Sequence, residues 1–336
     1  MSRRMTVAIA MQPEVAALAL TEELTARLDK SVDVRPGIIV DFATPASRSR
    51  LADVDVLLTG WGCPLVDHSV LDAAPRLRAI VHAAGSVKQH LTPEVWRRGI
   101  LVSSAASANA FPVAQYTVGA ILLAGKRAFR LAHDYTQGRY KNKLADDTGN
   151  HERVVGIVGA SRTGRLVLEL LAPHGFRLLV SDPTLDARAA AGLHPAGQVE
   201  LVDLDELLGH SDIVSLHAPA LPETHHLLDD RRLALLRDGA VLINTARGQL
   251  IDTEALFRHC ADGRIDAVLD VTDPEPLPAG HPLLSLPNVM VTPHVAGAMG
   301  TEIRRLGEFA VTEIERLSVD EPLHGGIHAD QLALLA

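Results

Sequence analysis

Short apolar runs rich in β-branched residues recur along the chain, separated by stretches in which apolar positions follow helical spacing. In the first part the runs lie at Val7–Ala10, Val32–Val40, Val54–Thr59, Ala79–Val81 and Ile100–Val102, with helical stretches such as Thr21–Lys30 and Thr92–Arg98 between them. Such alternation of β and α predicts a parallel sheet with helices on both faces. From Ala105 to Arg130 an apolar stretch predicts one long helix, and a polar stretch without periodicity, His133 to Arg153, follows it. A second alternation then runs through Val154–Val158, Leu178–Ser181, Ile213–Leu216, Ala240–Asn244, Ala267–Leu269 and Val289–Thr292. Helices fit between these at Gly164–Ala172, Asp203–Gly209, Asp229–Leu236 and Thr253–Ala261. About six strands is the number a complete dinucleotide-binding domain needs. The last helix, Glu302 to Leu317, has no place there and is expected to return to the first unit. The expected fold is α/β, with two doubly wound parallel-sheet domains: residues 1–103 with 298–336, and residues 104–297.

Within the second alternation, Val154 to Val158 runs into Gly159-Ala160-Ser161-Arg162-Thr163-Gly164 and then an amphipathic stretch. A buried strand feeding a tight turn and a helix start can hold a pyrophosphate, because free N–H groups and the positive helix end point at it. The next strand ends in Asp182, 182 − 159 = 23 positions past Gly159, where such folds place an acceptor for the ribose hydroxyls. Ser161 stands where the fingerprint has its middle glycine. Its hydroxyl can itself bond a phosphate oxygen, with a slight shift of the loop.

Composition narrows the partners. The 336 residues carry a net charge of −9, with 47% hydrophobic and 22% charged residues. An acidic balance argues against nucleic acid, whose phosphates require a basic face. Only two cysteines, Cys63 and Cys260, are present, so no disulfide framework is expected and a cytoplasmic location is the default. No apolar run approaches the ~18 residues that would span a membrane, and no metal site is expected.

Open α/β sheets bind ligands beyond the carboxyl ends of their strands. The residues at those positions are Asp182-Pro183, His217-Ala218-Pro219, Thr245-Ala246-Arg247-Gly248, Asp270-Val271 and Pro293-His294. Arg247 is suited to gripping a carboxylate bidentately. His294 is suited to acid–base work, although it is one of 16 histidines. Glu275, stiffened between Pro274 and Pro276, could orient that imidazole if the two meet. Each is also readable as an ordinary loop residue. Their recurrence at one sheet edge is what selects them.

The strings Asn244-Thr245-Ala246-Arg247-Gly248, Asp270-Val271 with Glu275-Pro276-Leu277, and Pro293-His294-Val295-Ala296-Gly297 resemble the D-isomer-specific 2-hydroxyacid dehydrogenase family. Leu216-His217-Ala218-Pro219 with Pro222 and Thr224, and Val113-Ala114-Gln115-Tyr116-Thr117, resemble further motifs of that family. The resemblance implies a flavodoxin-like substrate domain, a Rossmann NAD-binding domain, and a homodimer formed through the long helix and the loop after it. It implies that Arg247 binds the substrate carboxylate, that His294 exchanges the proton of the 2-oxygen, and that Glu275 holds His294. It implies NAD rather than NADP, with Asp182 on the ribose and Arg162-Thr163 on the pyrophosphate. Thr117 and Asp270 would lie near the nicotinamide, and His217-Ala218-Pro219 on the adenine side. Gly159, Ser161, Pro183, Thr224, Thr245, Ala246 and Gly297 complete the cofactor set. Gly85-Ser86-Val87 matches the loop that offers N–H groups to the carboxylate, and Trp61 is either a substrate contact or a packing residue. Lys88-Gln89-His90 replaces a common Asp-Asn-Ile segment, so substrate preference does not transfer. Two other readings remain: an NAD(H)-binding regulatory protein like the corepressors of this fold, and a dehydrogenase using formate or phosphite. Glu275 disfavours formate, whose enzymes usually carry Gln there.

Overall fold

The structure, a computed structural model, describes residues 3–139, 148–193 and 199–334. Residues 140–147 of the polar stretch after the long helix lie outside the described residues. The chain divides into two compact units, residues 1–110 with 298–335 and residues 111–297. The division falls inside the helix Ala106–Gly125 rather than before it.

The first unit holds β1 (Thr6–Ala10), β2 (Asp33–Ile39), β3 (Val56–Thr59), β4 (Ala79–His82) and β5 (Leu101–Ser104), in the order β2-β1-β3-β4-β5 and all parallel. This is the flavodoxin-like order. β3 and β4 are buried along their whole length, as the apolar runs Val56–Leu58 and Ala79–Val81 require, and each ends in a buried polar residue. β2 carries Pro36 and Gly37 and pairs on one side only, the position at which a sheet tolerates a missing donor. The helix Ile303–Ser318 packs on the helices Pro13–Ala19 and Glu22–Ser31. At the closest approach a Cβ on Gly307 would lie 1.7 Å from the Ala19 carbonyl oxygen, so only glycine fits.

The second unit has seven parallel strands: β6 (Val154–Val158), β7 (Arg177–Ser181), β8 (Val199–Leu201), β9 (Ile213–Leu216), β10 (Val241–Asn244), β11 (Asp266–Leu269) and β12 (Val289–Val291). Their order, β12-β11-β10-β9-β6-β7-β8, is the doubly wound Rossmann order with one strand added, and it reverses between β6 and β9. Apolar clusters cover both faces, one around Leu242 and Leu256 and the other around Ile157 and Ile243. Helices begin where a side chain accepts from first-turn amides, as at Asp203, Asp229 and Asp252.

Two expectations are corrected. The long helix is two, Ala106–Gly125 and Ala128–Thr136, separated at Arg127 with φ +51°. A Cβ on Gly125 would lie 1.8 Å from Asn150 Oδ1, and the turn lets Arg127 reach Asp266 at 3.0 Å and the Gly239 carbonyl at 2.8 Å. The second sheet has seven strands rather than about six. The strand that the pattern does not predict, β8, is a three-residue edge element with a charged residue at its centre, too short to show a period. Among the described residues no helix is long and apolar enough to cross a membrane.

Candidate active site

The turn after β6 combines two demands on the backbone. Gly159 has φ +95°, and a Cβ there would lie 2.7 Å from the Ala218 nitrogen. Gly164 approaches the strand so closely that a Cβ would lie 2.2 Å from the Gly159 oxygen. Both glycines are therefore required by the fold of the turn. Ser161 is the N-cap of the helix Arg162–Leu171, its hydroxyl accepting from Gly164 N–H at 3.3 Å. That leaves the first-turn amides of Arg162 and Thr163 available to an anion. Asp182, at the end of β7, accepts from Ala160 N–H at 2.7 Å and from Thr184 at 2.8 Å (amide) and 2.6 Å (hydroxyl). The acid thus already holds the turn against the adjacent strand. An open glycine turn, a helix start and a half-buried carboxylate fit a dinucleotide.

Residues after β9 and β10 are pinned by their own side chains. His217 is buried, hydrogen-bonded to Ser215 Oγ at 2.9 Å, and burial pushes its pKa down to about 3. Its ring serves the interior, while its main chain lies against Gly159. Thr224 binds the Pro219 carbonyl at 2.6 Å and the Leu221 amide at 2.8 Å, closing the Pro219–Thr224 loop. Thr117 and Thr245, both buried, share a hydroxyl–hydroxyl hydrogen bond of 2.8 Å. Pro183 is exposed, and Ala246 and Gly297 are half-buried.

Three neighbouring strands, β10, β11 and β12, lead to the charged groups. Asn244 donates to the Arg247 carbonyl at 2.8 Å and accepts from Ala246 N–H at 3.0 Å, which fixes the turn that presents Arg247. A Cβ on Gly248 would lie 1.9 Å from the Thr272 carbonyl oxygen, so glycine lets this turn rest on the next strand's exit. Burial lowers the Arg247 pKa from its ordinary value, and Glu275 opposes that shift. A guanidinium stays charged regardless.

His294 Nδ1 and Glu275 Oε1 lie 2.6 Å apart. Both side chains remain accessible, His294 at 52% and Glu275 at 41%, so a small molecule can reach the ring. The backbone of His294 is left-handed, φ +56°. Asp270, 1% exposed, holds that strained turn by accepting from Thr292 Oγ1–H at 2.6 Å, Val295 N–H at 2.8 Å and Ala296 N–H at 2.9 Å. The Asp270 carbonyl takes the His294 amide at 2.9 Å. Sequence reasoning did not find this role of Asp270 or the Asn244 clamp, because both consist of side chain-to-backbone bonds within loops. Proximity to the strand end was the only available signal.

In the first unit, Trp61 and Gly85-Ser86-Val87 follow the carboxyl ends of the adjacent parallel strands β3 and β4. Trp61 is 37% exposed. Gly85 and Ser86 are half-buried and Val87 is buried. Among the described residues, no acceptor bonds the amides of these three. His225, His226 and Asp273 bring ligand atoms within 4.8 Å of one another, with His225 exposed.

The model of the D-isomer specific 2-hydroxyacid dehydrogenase NAD binding domain matches residues 118–296, more than half of the chain. The chain belongs to that family. Glyoxylate reductase of Thermofilum pendens is 35% identical over 283 residues, covering 80% of this chain and 81% of that protein. The TT0316 protein of Thermus thermophilus superposes with a TM-score of 0.75 at 30% identity, over 96% of this chain and all of the other. A D-isomer specific 2-hydroxyacid dehydrogenase of Lactobacillus delbrueckii ssp. bulgaricus, in its NAD-complexed form, has the same fold at a TM-score of 0.80 and 20% identity, over 96% and 99% of the chains. The protein is an NAD-dependent 2-hydroxyacid dehydrogenase with two parallel-sheet α/β domains.

Proposed function

We propose that the protein interconverts a small D-2-hydroxy acid and its 2-keto acid, with His294 as the acid–base group, Glu275 as its orienting partner and Arg247 as the carboxylate anchor. The observation that carries this reading is the 2.6 Å His294–Glu275 hydrogen bond, which joins the segments after β12 and β11, the latter being the neighbour of β10, whose exit presents Arg247. The chemistry supplied by the bound dinucleotide is hydride transfer at C2. With Nδ1 committed to Glu275, Nε2 is the ring atom that meets the substrate oxygen. Protonated His294 gives its Nε2 proton to the 2-oxygen in reduction, and the neutral ring removes it in oxidation. The carboxylate of Glu275 stabilises the imidazolium that oxidation produces. Arg247 pairs with the substrate carboxylate, and its partly desolvated charge favours the developing alkoxide. The loop Gly85-Ser86-Val87 is assigned to the same carboxylate through its unbonded amides, and Trp61 to the substrate side.

For the cofactor, Arg162 and Thr163 bind the pyrophosphate and Asp182 the ribose hydroxyls, which favours NAD over NADP. The first unit, with the C-terminal helix, serves the substrate and the second serves the dinucleotide. A cytoplasmic homodimer is part of this reading. The helix Ala128–Thr136 buries none of its residues although it carries Phe129, Leu131 and Tyr135, the last 66% exposed. Sedimentation at twice 36.0 kDa is the expected result, and a monomer would remove the dimer from the proposal.

The deciding experiment is NADH oxidation by the purified protein against glyoxylate, hydroxypyruvate, pyruvate and phenylpyruvate, with NADPH in parallel. Turnover of one of these with NADH is expected. Tight NADH binding without turnover of any 2-keto acid would favour the regulatory reading instead.

A further inference from the structure

Behind the Gly85–Val87 loop lies a group of polar side chains that the proposed chemistry does not use. Thr59 ends β3 and His82 ends the neighbouring β4. His90 lies at the far end of the loop, in the segment that departs from the family pattern. Thr59 is 0% exposed, His82 2% and His90 6%. Thr59 Oγ1 lies 2.8 Å from His82 Nδ1 and 3.3 Å from His90 Nε2, and the two rings are 4.3 Å apart. The Ser86 backbone, inside the loop, lies beside the His82 ring and opposes the downward effect of burial on its pKa.

Three properties make this more than a satisfied pair of core histidines. A hydroxyl has one proton, so Thr59 can donate to only one ring and must accept from the other. The bonds are therefore directional and depend on one another. Burial pushes both rings well toward the neutral form, His90 to a pKa of about 4, so neither needs a counter-ion there. The two ends of the connected set grip the loop at different points. One is His82, whose ring lies beside the Ser86 backbone, and the other is His90, whose amide bonds the Val87 carbonyl at 3.3 Å and whose carbonyl takes the Val66 amide at 2.8 Å.

The geometry points to His82, Thr59 and His90 as positioning residues. They form a buried hydrogen-bonded chain, His90–Thr59–His82, anchored to the loop where the His90 amide bonds the Val87 carbonyl and where the Ser86 backbone lies beside the His82 ring. The chain holds the Gly85-Ser86-Val87 amides in the arrangement that receives the substrate carboxylate. The inference rests on the assignment of that loop to the carboxylate. The chain lies entirely in the first unit, so it acts on the organic acid and not on the dinucleotide.

The test uses the full-length protein with Thr59→Val, which keeps the shape and removes the hydroxyl, and Thr59→Ser, which restores it. For Thr59→Val the KM of the best 2-keto acid is expected to rise about tenfold, the effect of one or two lost hydrogen bonds. The kcat and the Kd of NADH stay within about twofold, and Thr59→Ser returns KM to near the wild-type value. Amide hydrogen exchange across residues 83–90 is expected to speed up in Thr59→Val and not in Thr59→Ser. Should Thr59→Val not fold, His90→Leu leaves the Thr59–His82 bond in place and is expected to raise KM in the same direction by less. An unchanged KM in Thr59→Val, or a Thr59→Ser variant as impaired as the valine one, would overturn the inference. Wild-type protein that turns over no 2-keto acid would instead overturn the assigned reaction, while unchanged loop exchange in Thr59→Val would count against the positioning chain itself.

Discussion

At the scale of single residues, His294 combines an accessible ring with a left-handed backbone that asparagine also tolerates. His294→Asn therefore removes the imidazole while keeping the turn that Asp270 holds. The expected result is a fall in kcat of at least ~10²-fold with NADH affinity little changed, read by steady-state assay and fluorescence titration. Wild-type-like turnover would remove His294 from the chemistry. Asp182 serves two tasks, since its carboxylate accepts from the fingerprint turn and is proposed to meet the ribose. Truncating it to alanine would loosen the turn and weaken both dinucleotides. Asp182→Asn removes the charge with less loss of shape, so the preference for NADH over NADPH should fall by about tenfold, measured as a ratio of Kd values. An unchanged ratio would mean that this charge does not set cofactor choice. Arg247 and His294 stand out in the sequence because each follows a strand, and Glu275 because a proline flanks it on either side. The inward turn of His217 and the Asp270 clamp were not, since strand-end position does not say which way a side chain faces.

At the scale of elements, the site depends on turns that lie against neighbouring backbone. Gly248 is the clearest case, because a Cβ there meets the carbonyl group of Thr272 at 1.9 and 2.0 Å and backbone cannot swing aside as a side chain can. Gly248→Ala is expected to destabilise the protein by about 2 kcal/mol and to raise the KM of the keto acid by displacing Arg247. Gly209 lies in the helix Leu204–His210 with nothing within 4 Å of its added Cβ. Gly209→Ala should be neutral or stabilise by up to ~1 kcal/mol. Urea denaturation of the pair checks both, and a Gly248→Ala protein as stable and active as the Gly209→Ala one would contradict the packing argument. The pattern also predicted one helix where there are two. Ala106 to Gly125 is apolar and helical, but the continuation is interrupted where Asn150 crosses Gly125 and Arg127 turns to Asp266, partners far away in sequence.

At the scale of the whole molecule, both units bury histidines. His90 and His217 are held to pKa values of about 4 and about 3, and His82 is held well below its ordinary value, all through burial. In the unfolded chain these rings titrate near ~6.5. Above that pH they are neutral in both states and the fold has its full stability. Between ~6.5 and the folded values the unfolded chain binds more protons, so stability falls as pH falls, by about 1.4 kcal/mol per pH unit for each ring well inside its window. The urea midpoint should accordingly drop between pH 7 and pH 5, and a flat profile would show that these rings are not buried neutral. The alternation of strands and helices, the fingerprint glycines and the acid that follows them are local patterns, written within a few residues of one another. The Arg, Glu-Pro and Pro-His strings are likewise readable in order along the chain. Tertiary structure alone decided that β8 adds an edge, that Asp182 braces the turn after β6, and that Thr59, His82 and His90 meet. Those outcomes depend on which distant groups become neighbours, and in a close-packed interior a buried polar atom takes its role from the partner it finds there.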